Sequence, residues 1–271
     1  MMDTIPVKPP RISIVTITRN SSEFLEETIR SVQEQTYEFV EYIVIDAGST
    51  DGTVDIIRKY ERGIVKWLSE PDEGIADGFN KGLSYTTGDY VLFLNSDDAL
   101  SNPQVLEKIA EQMINLHFPS IIYGDCNVLE RESGKFLYRA AIEFDSGGLK
   151  EGRMIPHPSM FASRDYFSKY GFFDCSFRIA MDFEWLLRGA LTDRVEHVPV
   201  LVSNVRTGGV SARSQHQVVD EIILALRKHG YVASEWGEQK MRNYFRARSL
   251  AKYILARLGV YELFSRMRNK S

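Results

Sequence analysis

Two adjacent carboxylates, Asp97 and Asp98, end the run Leu94-Asn-Ser-Asp-Asp98, directly behind five apolar or aromatic residues from Tyr90 to Leu94. Such a pair repels itself unless a cation or hydrogen-bond donors offset the charge. A hard divalent ion meets that need, because Mg²⁺ takes one or two protein carboxylates and completes its shell with water and phosphate oxygens. The same ion would stabilise a departing diphosphate. A further acid, Asp46, follows Tyr42-Ile-Val-Ile45 and opens the loop Ala47-Gly-Ser-Thr-Asp-Gly-Thr53. Gly48 and Gly52 permit a tight turn there, and Ser49, Thr50 and Asp51 supply oxygens for capping the next helix, with Asp51 the expected cap. Taken singly, the Asp46 run reads evenly as a ligand site or an ordinary capping loop, and the Asp-Asp pair more often as a solvated turn or the cap of the helix after Pro103. Their placement two strands apart is what joins them into one site.

The elements that carry these acids alternate. Ile12 to Ile17 is a short β-branched run, and the stretch from Ser21 repeats apolar residues at Phe24, Leu25, Ile29 and Val32, which predicts strand, turn and amphipathic helix. The pattern returns with Tyr42 to Ile45 before a helix from about Thr53 to Tyr60, and with Val65 to Leu68 before a helix across Ile75 to Ser84. Tyr90 to Leu94 is the fourth strand. Strands that are apolar on both faces and alternate with helices predict a Rossmann-like α/β fold, a mostly parallel central sheet with helices on both faces. Ligands collect at the C-terminal strand ends of such sheets, where Asp46 and Asp98 fall. From about Val105 a helix leads to Ile121 to Tyr123. The segment to roughly Val210, with a helix around Asp182 to Gly189, reads as the second half of the same domain.

Bulk properties exclude several classes. The 271 residues are 44% hydrophobic and 26% charged, enough to bury a substantial core, and the formal charge of -4 argues against a nucleic-acid partner for the protein as a whole. Cys126 and Cys175 stand alone, so neither a disulfide framework nor a structural zinc site is implied. Residues 1–10 lack a signal-peptide pattern and no apolar run is long enough to span a bilayer, which predicts a cytoplasmic protein, free or peripheral on the inner face of the membrane. From Glu238 onward nine Lys or Arg stand against two acids, with apolar residues between them. That composition predicts a basic amphipathic extension, suited either to an anionic membrane surface through 238–271 or to packing on the domain with its basic face solvated. The expected division is a catalytic domain over 1–215 and a helical basic C-terminal extension over 216–271.

Five segments in order then carry a family resemblance: Ile14-Val-Thr-Ile-Thr-Arg-Asn20, Ile45-Asp-Ala-Gly-Ser-Thr-Asp-Gly-Thr53, Glu70-Pro-Asp-Glu-Gly-Ile-Ala-Asp-Gly-Phe-Asn-Lys-Gly82, Gly88-Asp-Tyr-Val-Leu-Phe-Leu-Asn-Ser-Asp-Asp98 and Asp182-Phe-Glu-Trp-Leu-Leu-Arg188. Over about Arg11 to Ser211 the chain resembles glycosyltransferase family 2, inverting enzymes of the GT-A fold that use nucleotide-sugar donors. The resemblance implies that Thr16 and Thr18 lie beside the base and ribose. It implies that Asp46 accepts a hydrogen bond from the base imide, which suits uracil, and that Asp77 touches the nucleotide or donor sugar with Asn80 and Lys81 nearby. Lys81 itself reads rather as a solvated helix lysine than as a donor contact. Ser96-Asp97-Asp98 stands where the family carries its Asp-x-Asp metal motif, with Ser96 in place of the first Asp. That leaves Asp98 as the expected ligand of Mn²⁺ or Mg²⁺ and Asp97 as a ribose or outer partner.

The same resemblance makes Asp182 the base that activates the acceptor hydroxyl, although Met181 stands where many relatives have a preceding acid. Glu184 is the reserve. His157, between Pro156 and Pro158, is an expected donor or acceptor contact, with a purely structural histidine as the alternative. Arg213 and His216, in Arg206-Thr-Gly-Gly-Val-Ser-Ala-Arg-Ser-Gln-His216, are candidates for closing over a diphosphate, unless that run is a surface turn. The implied activity is transfer of a sugar from a nucleotide-diphosphate donor, UDP-linked by preference, to a saccharide or lipid-linked saccharide in bacterial surface polysaccharide assembly. Two rivals from other classes are a nucleotidyltransferase, for which Thr18 to Ser22 lacks the glycine-rich phosphate loop, and a sugar-nucleotide binding module without a base.

Overall fold

The computed structural model describes residues 8–232, 234, 236–245 and 247. In chain order the elements are β1 (Ile12–Thr18), α1 (Leu25–Gln33), β2 (Val40–Asp46), α2 (Thr53–Lys59), β3 (Lys66–Ser69), α3 (Ile75–Ser84), β4 (Tyr90–Phe93), β5 (Ala99–Leu100) and α4 (Val105–Asn115). The second half comprises β6 (Ile121–Leu129), β7 (Phe136–Ala140), α5 (Ser146–Lys150), β8 (Met160–Ser163), α6 (Arg164–Tyr170), α7 (Met181–Leu187), β9 (Val195–Arg206), α8 (Val210–Arg213) and α9 (Gln215–Lys228).

β1, β2 and β4 are buried almost throughout because helices cover both faces, whereas the edge strand β3 is not. Alternate residues of β1 and β2 therefore feed two separate cores. Val15, Ile43 and Ile45 meet α3 through Ala76, Phe79 and Leu83. Ile14, Tyr42 and Val44 meet α1, α2 and α4 through Leu25, Ile29, Ile57 and Ile109. On α1 the buried residues Leu25, Thr28, Ile29 and Val32 follow the three- and four-residue spacing of one helix face.

The sheet runs β3-β2-β1-β4-β8-β6-β9-β5, with β7 paired to β6. It is parallel across β3, β2, β1 and β4, then mixed: β8 is antiparallel to both β4 and β6, whereas β9 runs parallel to β6 and antiparallel to β5. The chain leaves β1 toward β2 on one side and returns to β4 on the other, so a crevice opens at the shared C-terminal ends of β1 and β4. Register sets what lines it. Thr18 lies opposite Asp46, Asp46 opposite Ser69, and Val15 opposite Phe93, so the Leu94–Asp98 turn leaves the sheet at the same rim as Asp46.

The C-terminal part begins inside the fold. Ile222, Ala225 and Leu226 of α9 belong to the same core as Trp185 and Leu186 of α7. Helical turns over 236–245 continue it, and Phe245 is buried against Gly152, where an added Cβ would lie 2.5 Å from its ring. Most of the expected basic stretch 238–271 lies outside the described residues. No helix among the described residues is long and apolar enough to cross a membrane.

Candidate active site

Asp46 ends β2 fully buried, and the loop behind it curls back onto its carboxylate. Ser49 donates through its backbone N–H (2.9 Å) and its hydroxyl, and the Ser69 hydroxyl donates from β3 at 2.6 Å. Gly48 and Gly52 take the positive φ values, 72° and 97°, that this turn requires. Asp51 binds the Thr53 hydroxyl (2.6 Å) and the backbone N–H groups of Thr53 and Ser22 (both 3.1 Å), which hold its carboxyl well below the usual range. Beside Asp46 the Thr18 Oγ1 is buried without a partner. Thr16 lies one step lower, wholly buried, and its hydroxyl accepts from Tyr42 at 3.1 Å, so it belongs to the core rather than to the rim.

The second acidic run follows β4. Asp98 is almost completely buried; its Oδ2 accepts from Asn95 Nδ2 (2.9 Å) and its Oδ1 from the Arg206 backbone N–H (3.2 Å). Burial, with the neighbouring charge of Asp97, pushes its carboxyl up to about 7. Asp97 turns the other way and pairs with Arg131 Nη1 at 2.6 Å. Ser96, in place of the family's first Asp, donates to Ser21 Oγ at 2.9 Å and so ties the turn to the β1–α1 loop. Among the described residues no group of three or more His, Cys, Asp or Glu is arranged to hold a metal. The donor set is two adjacent carboxylates that repel each other, which fits a hard divalent cation drawing its remaining ligands from water and phosphate.

Along the donor side, Asp77 in the first turn of α3 accepts the Glu73 backbone N–H (3.0 Å), which holds its carboxyl low, and pairs with Lys81 at 3.2 Å. Lys81 also meets Glu70 at 3.1 Å and the Pro71 carbonyl at 3.0 Å. It is therefore not a solvated helix lysine but the clamp of the 70–74 loop. Asn80, expected near the donor, instead clasps the Phe173 backbone with both ends of its amide, each bond 2.9 Å.

In the second half, α7 is buried on every residue except Asp182. The Asp182 carboxylate accepts only the adjacent Phe183 N–H, at 2.8 Å. His157 packs against the adjoining rings of Phe79 (5.6 Å) and Phe93 (6.1 Å), and its Nε2 is buried without a partner among the described residues. Burial lowers its pKa against the opposing pull of the Asp182 charge, so the two are electrostatic neighbours. Glu184 is fully buried and occupied by Arg188, Lys228 (2.7 Å) and His229 (2.9 Å), and a carboxylate so engaged has no free oxygen to act as the reserve base. Arg213 and His216 are exposed and do not join the hydrogen-bonded groups around Asp46 and Asp98.

Sequence reasoning missed three residues. Arg131 and Arg206 flank the Asp97–Asp98 run and both lie over the Phe24 ring, at 4.7 and 4.6 Å. Glu221 of α9 accepts the backbone N–H groups of Arg178, Ile179 and Ala180 (3.1, 2.8 and 2.8 Å), capping α7 immediately ahead of Asp182. Their long separation in sequence from the groups they hold left no local signal.

Comparison with known proteins fits this arrangement. Residues 13–179 match the profile described as Glycosyl transferase family 2. An uncharacterized glycosyltransferase of Mycobacterium tuberculosis is 30% identical over 90% of this chain and 93% of its own length. A PGL/p-HBAD biosynthesis glycosyltransferase of Mycobacterium bovis is 32% identical over 74% of this chain and 79% of its own. Among solved structures, residues 1–349 of S. aureus TarS in complex with UDP-GlcNAc superpose with a TM-score of 0.63 at 17% identity, covering 89% of this chain and 73% of that one. With its acids on one rim of the sheet and its sequence matched from β1 to the threshold of α7, the chain belongs to glycosyltransferase family 2 and has the GT-A fold.

Proposed function

We propose that this glycosyltransferase moves a sugar from a UDP-linked donor to a hydroxyl of a saccharide or lipid-linked saccharide, with inversion at the anomeric carbon. The observation that carries the reading is that Asp46 and the Asp97–Asp98 pair share one rim of the parallel sheet, while Asp182 is the single outward residue of a buried helix.

Asp46 holds the base. Its carboxylate has about four lone-pair positions and three are taken by Ser49 and Ser69, so one remains for an imide N–H. The Thr18 hydroxyl, unpartnered beside it, gains a bond when the nucleoside binds. Asp77, through Lys81, fixes the 70–74 loop along the donor. Asp98, with Asp97, would hold Mn²⁺ or Mg²⁺, which supplies positive charge to the leaving diphosphate when bound. Asp182 accepts the acceptor proton as its oxygen attacks opposite the leaving group, so no covalent sugar-enzyme species forms. His157, an electrostatic neighbour of Asp182, is an uncharged hydrogen-bonding contact for the donor or acceptor sugar.

The setting we propose, from the family resemblance, is bacterial surface polysaccharide assembly. The enzyme would work on the cytoplasmic side, with the basic stretch 238–271 bringing it to an anionic membrane surface. Release of nucleoside diphosphate from a panel of donor sugars, with Mn²⁺ or Mg²⁺, tests the reaction. Turnover should require the metal, Asp98 and Asp182; turnover that survives chelation together with D98N and D182N would overturn it.

A further inference from the structure

Arg131 stands beside the metal motif with its guanidinium already placed. It projects from the tip between β6 and β7 and reaches back 34 residues to Asp97, its Nη1 2.6 Å from Oδ2. The guanidinium lies 4.7 Å from the centre of the Phe24 ring. The backbone is tied as well: the Arg131 N–H donates to Thr207 Oγ1 (3.2 Å) and its carbonyl accepts from Arg206 Nη1 (3.3 Å). Gly208, at a φ of 83°, closes over the aliphatic stem, where an added Cβ would lie 3.5 Å from Arg131 Cδ. The side chain is nonetheless 29% exposed, so it can meet a ligand. Arg206, over the same ring, is committed elsewhere; it is only 13% exposed, and its Nη2 is on Glu27.

A stacked, backbone-tethered guanidinium presents a planar fork matched to carboxylate and to phosphate oxygens alike. Asp97 engages one arm of that fork, Nη1. A divalent cation on the same carboxylate would stand next to the guanidinium, and two adjacent positive charges repel unless an anion enters between them. The anion at hand is the diphosphate.

We propose that Arg131 is an exchangeable counter-ion of the metal motif: it neutralises Asp97 in the empty enzyme and transfers to the donor diphosphate when a cation takes the carboxylate. This rests on the assignment of Asp97 and Asp98 as the cation's ligands. Two consequences follow from the exchange. The empty enzyme binds the cation weakly, because the cation must displace Arg131. Nucleotide and cation then favour each other's binding, since each supplies the partner the other's arrival removes.

The test uses R131Q in the full chain, with two probes: Mn²⁺ alone, followed by the electron paramagnetic resonance of the free ion, and UDP at saturating Mn²⁺, followed by titration calorimetry. The two affinities should move in opposite directions, Mn²⁺ binding to the empty enzyme tightening roughly ten-fold and UDP binding weakening by about the same factor, the scale of one charge-assisted hydrogen bond. R131K, which keeps the charge and loses the fork, should leave Mn²⁺ binding weak while still losing UDP affinity. Loss of both affinities together in R131Q would mark a structural role and overturn the proposal, as would no change in either. D98N separates this from the underlying assignment: if D98N leaves Mn²⁺-dependent UDP binding intact, the metal motif itself is misassigned and Arg131 falls with it. If D98N abolishes that binding and R131Q fails to split the affinities, Arg131 alone is wrong.

Discussion

Replacing Glu184 by glutamine removes one charge and almost no volume. The carboxylate is 0% exposed and receives Arg188 through Nε (3.0 Å) and Nη2, Lys228 at 2.7 Å and His229 at 2.9 Å. Burial by itself would raise its pKa, and the three partners outweigh that effect so that the net shift is downward. Breaking a buried ion pair by deleting one side costs about 3–5 kcal/mol. Here the lower end applies, because the partners have other acceptors: Lys228 is 43% exposed and keeps Asp174 at 2.8 Å, and Arg188 keeps the carbonyls of Tyr170 and Phe172 at 2.8 and 2.7 Å. The retained amide oxygen brings the expected loss to about 2–3 kcal/mol. Against a total stability of roughly 5–15 kcal/mol the variant stays folded at room temperature. Urea unfolding followed by tryptophan fluorescence reads the change, since Trp185 is fully buried in the same helix; the midpoint should fall with an unchanged slope. D182N should behave in the opposite way. Its carboxylate accepts one local N–H and is partly open to solvent, so stability should change by under ~1 kcal/mol. Turnover should fall roughly 10²- to 10⁴-fold. If E184Q unfolds as readily as wild type yet loses turnover to the extent expected of D182N, the assignment of base and scaffold is reversed.

Thr18→Val replaces a buried hydroxyl that has no partner, so the ligand-free enzyme should melt at the same or a slightly higher temperature, while UDP affinity drops about ten-fold; unchanged affinity by calorimetry would remove Thr18 from the nucleotide site. Burial would raise the Glu41 carboxyl, but bonds from the Ser13 and Thr87 hydroxyls and the N–H groups of Thr87 and Gly88 prevail and lower it from 4.5. A depressed folded pKa means that its stabilisation is full above pH 4.5 and is lost as pH falls through the lowered value, so E41Q should cost stability at pH 7 and flatten the acid limb of a urea-midpoint profile. An acid limb as steep as that of wild type would show the loss to lie elsewhere. Gly82→Ala improves helix propensity but sets a Cβ 2.3 Å from Val15 Cγ1 and 3.4 Å from Ile45 Cγ1 in a filled core, and should destabilise by about 1–3 kcal/mol; a raised urea midpoint would contradict the packing.

The first half of the fold was legible because its signals are local. β-branched runs, three- and four-residue apolar spacing and glycine turns place β1 through β4 and their intervening helices, and parallel register then carries Asp46 and Asp98 to one rim. The second half was blurred for an equally physical reason. β7 is largely exposed, and the pairing of β6 with β9 shifts register around Asp125, so neither shows clean alternation. Lys81 and Asn80 were misread because their partners, in the 70–74 loop and at Phe173, are set by how the chain folds back on α3.

Composition and spacing alone determined a mostly parallel α/β sheet with acids at its strand ends, since those features depend on residues within one or two helical turns of each other. Which acid is occupied and which is free was decided only in three dimensions. Asp182 and Glu184 sit two positions apart, about 200° around the helix, so they had to face opposite ways. The docking of α9 turned Glu184 onto Lys228 and His229 and left Asp182 outward, just as the return of the β6–β7 tip put Arg131 on Asp97. A side chain's charge is written in the sequence; the neighbour that occupies or frees it is supplied by packing from residues 34 to 45 positions away.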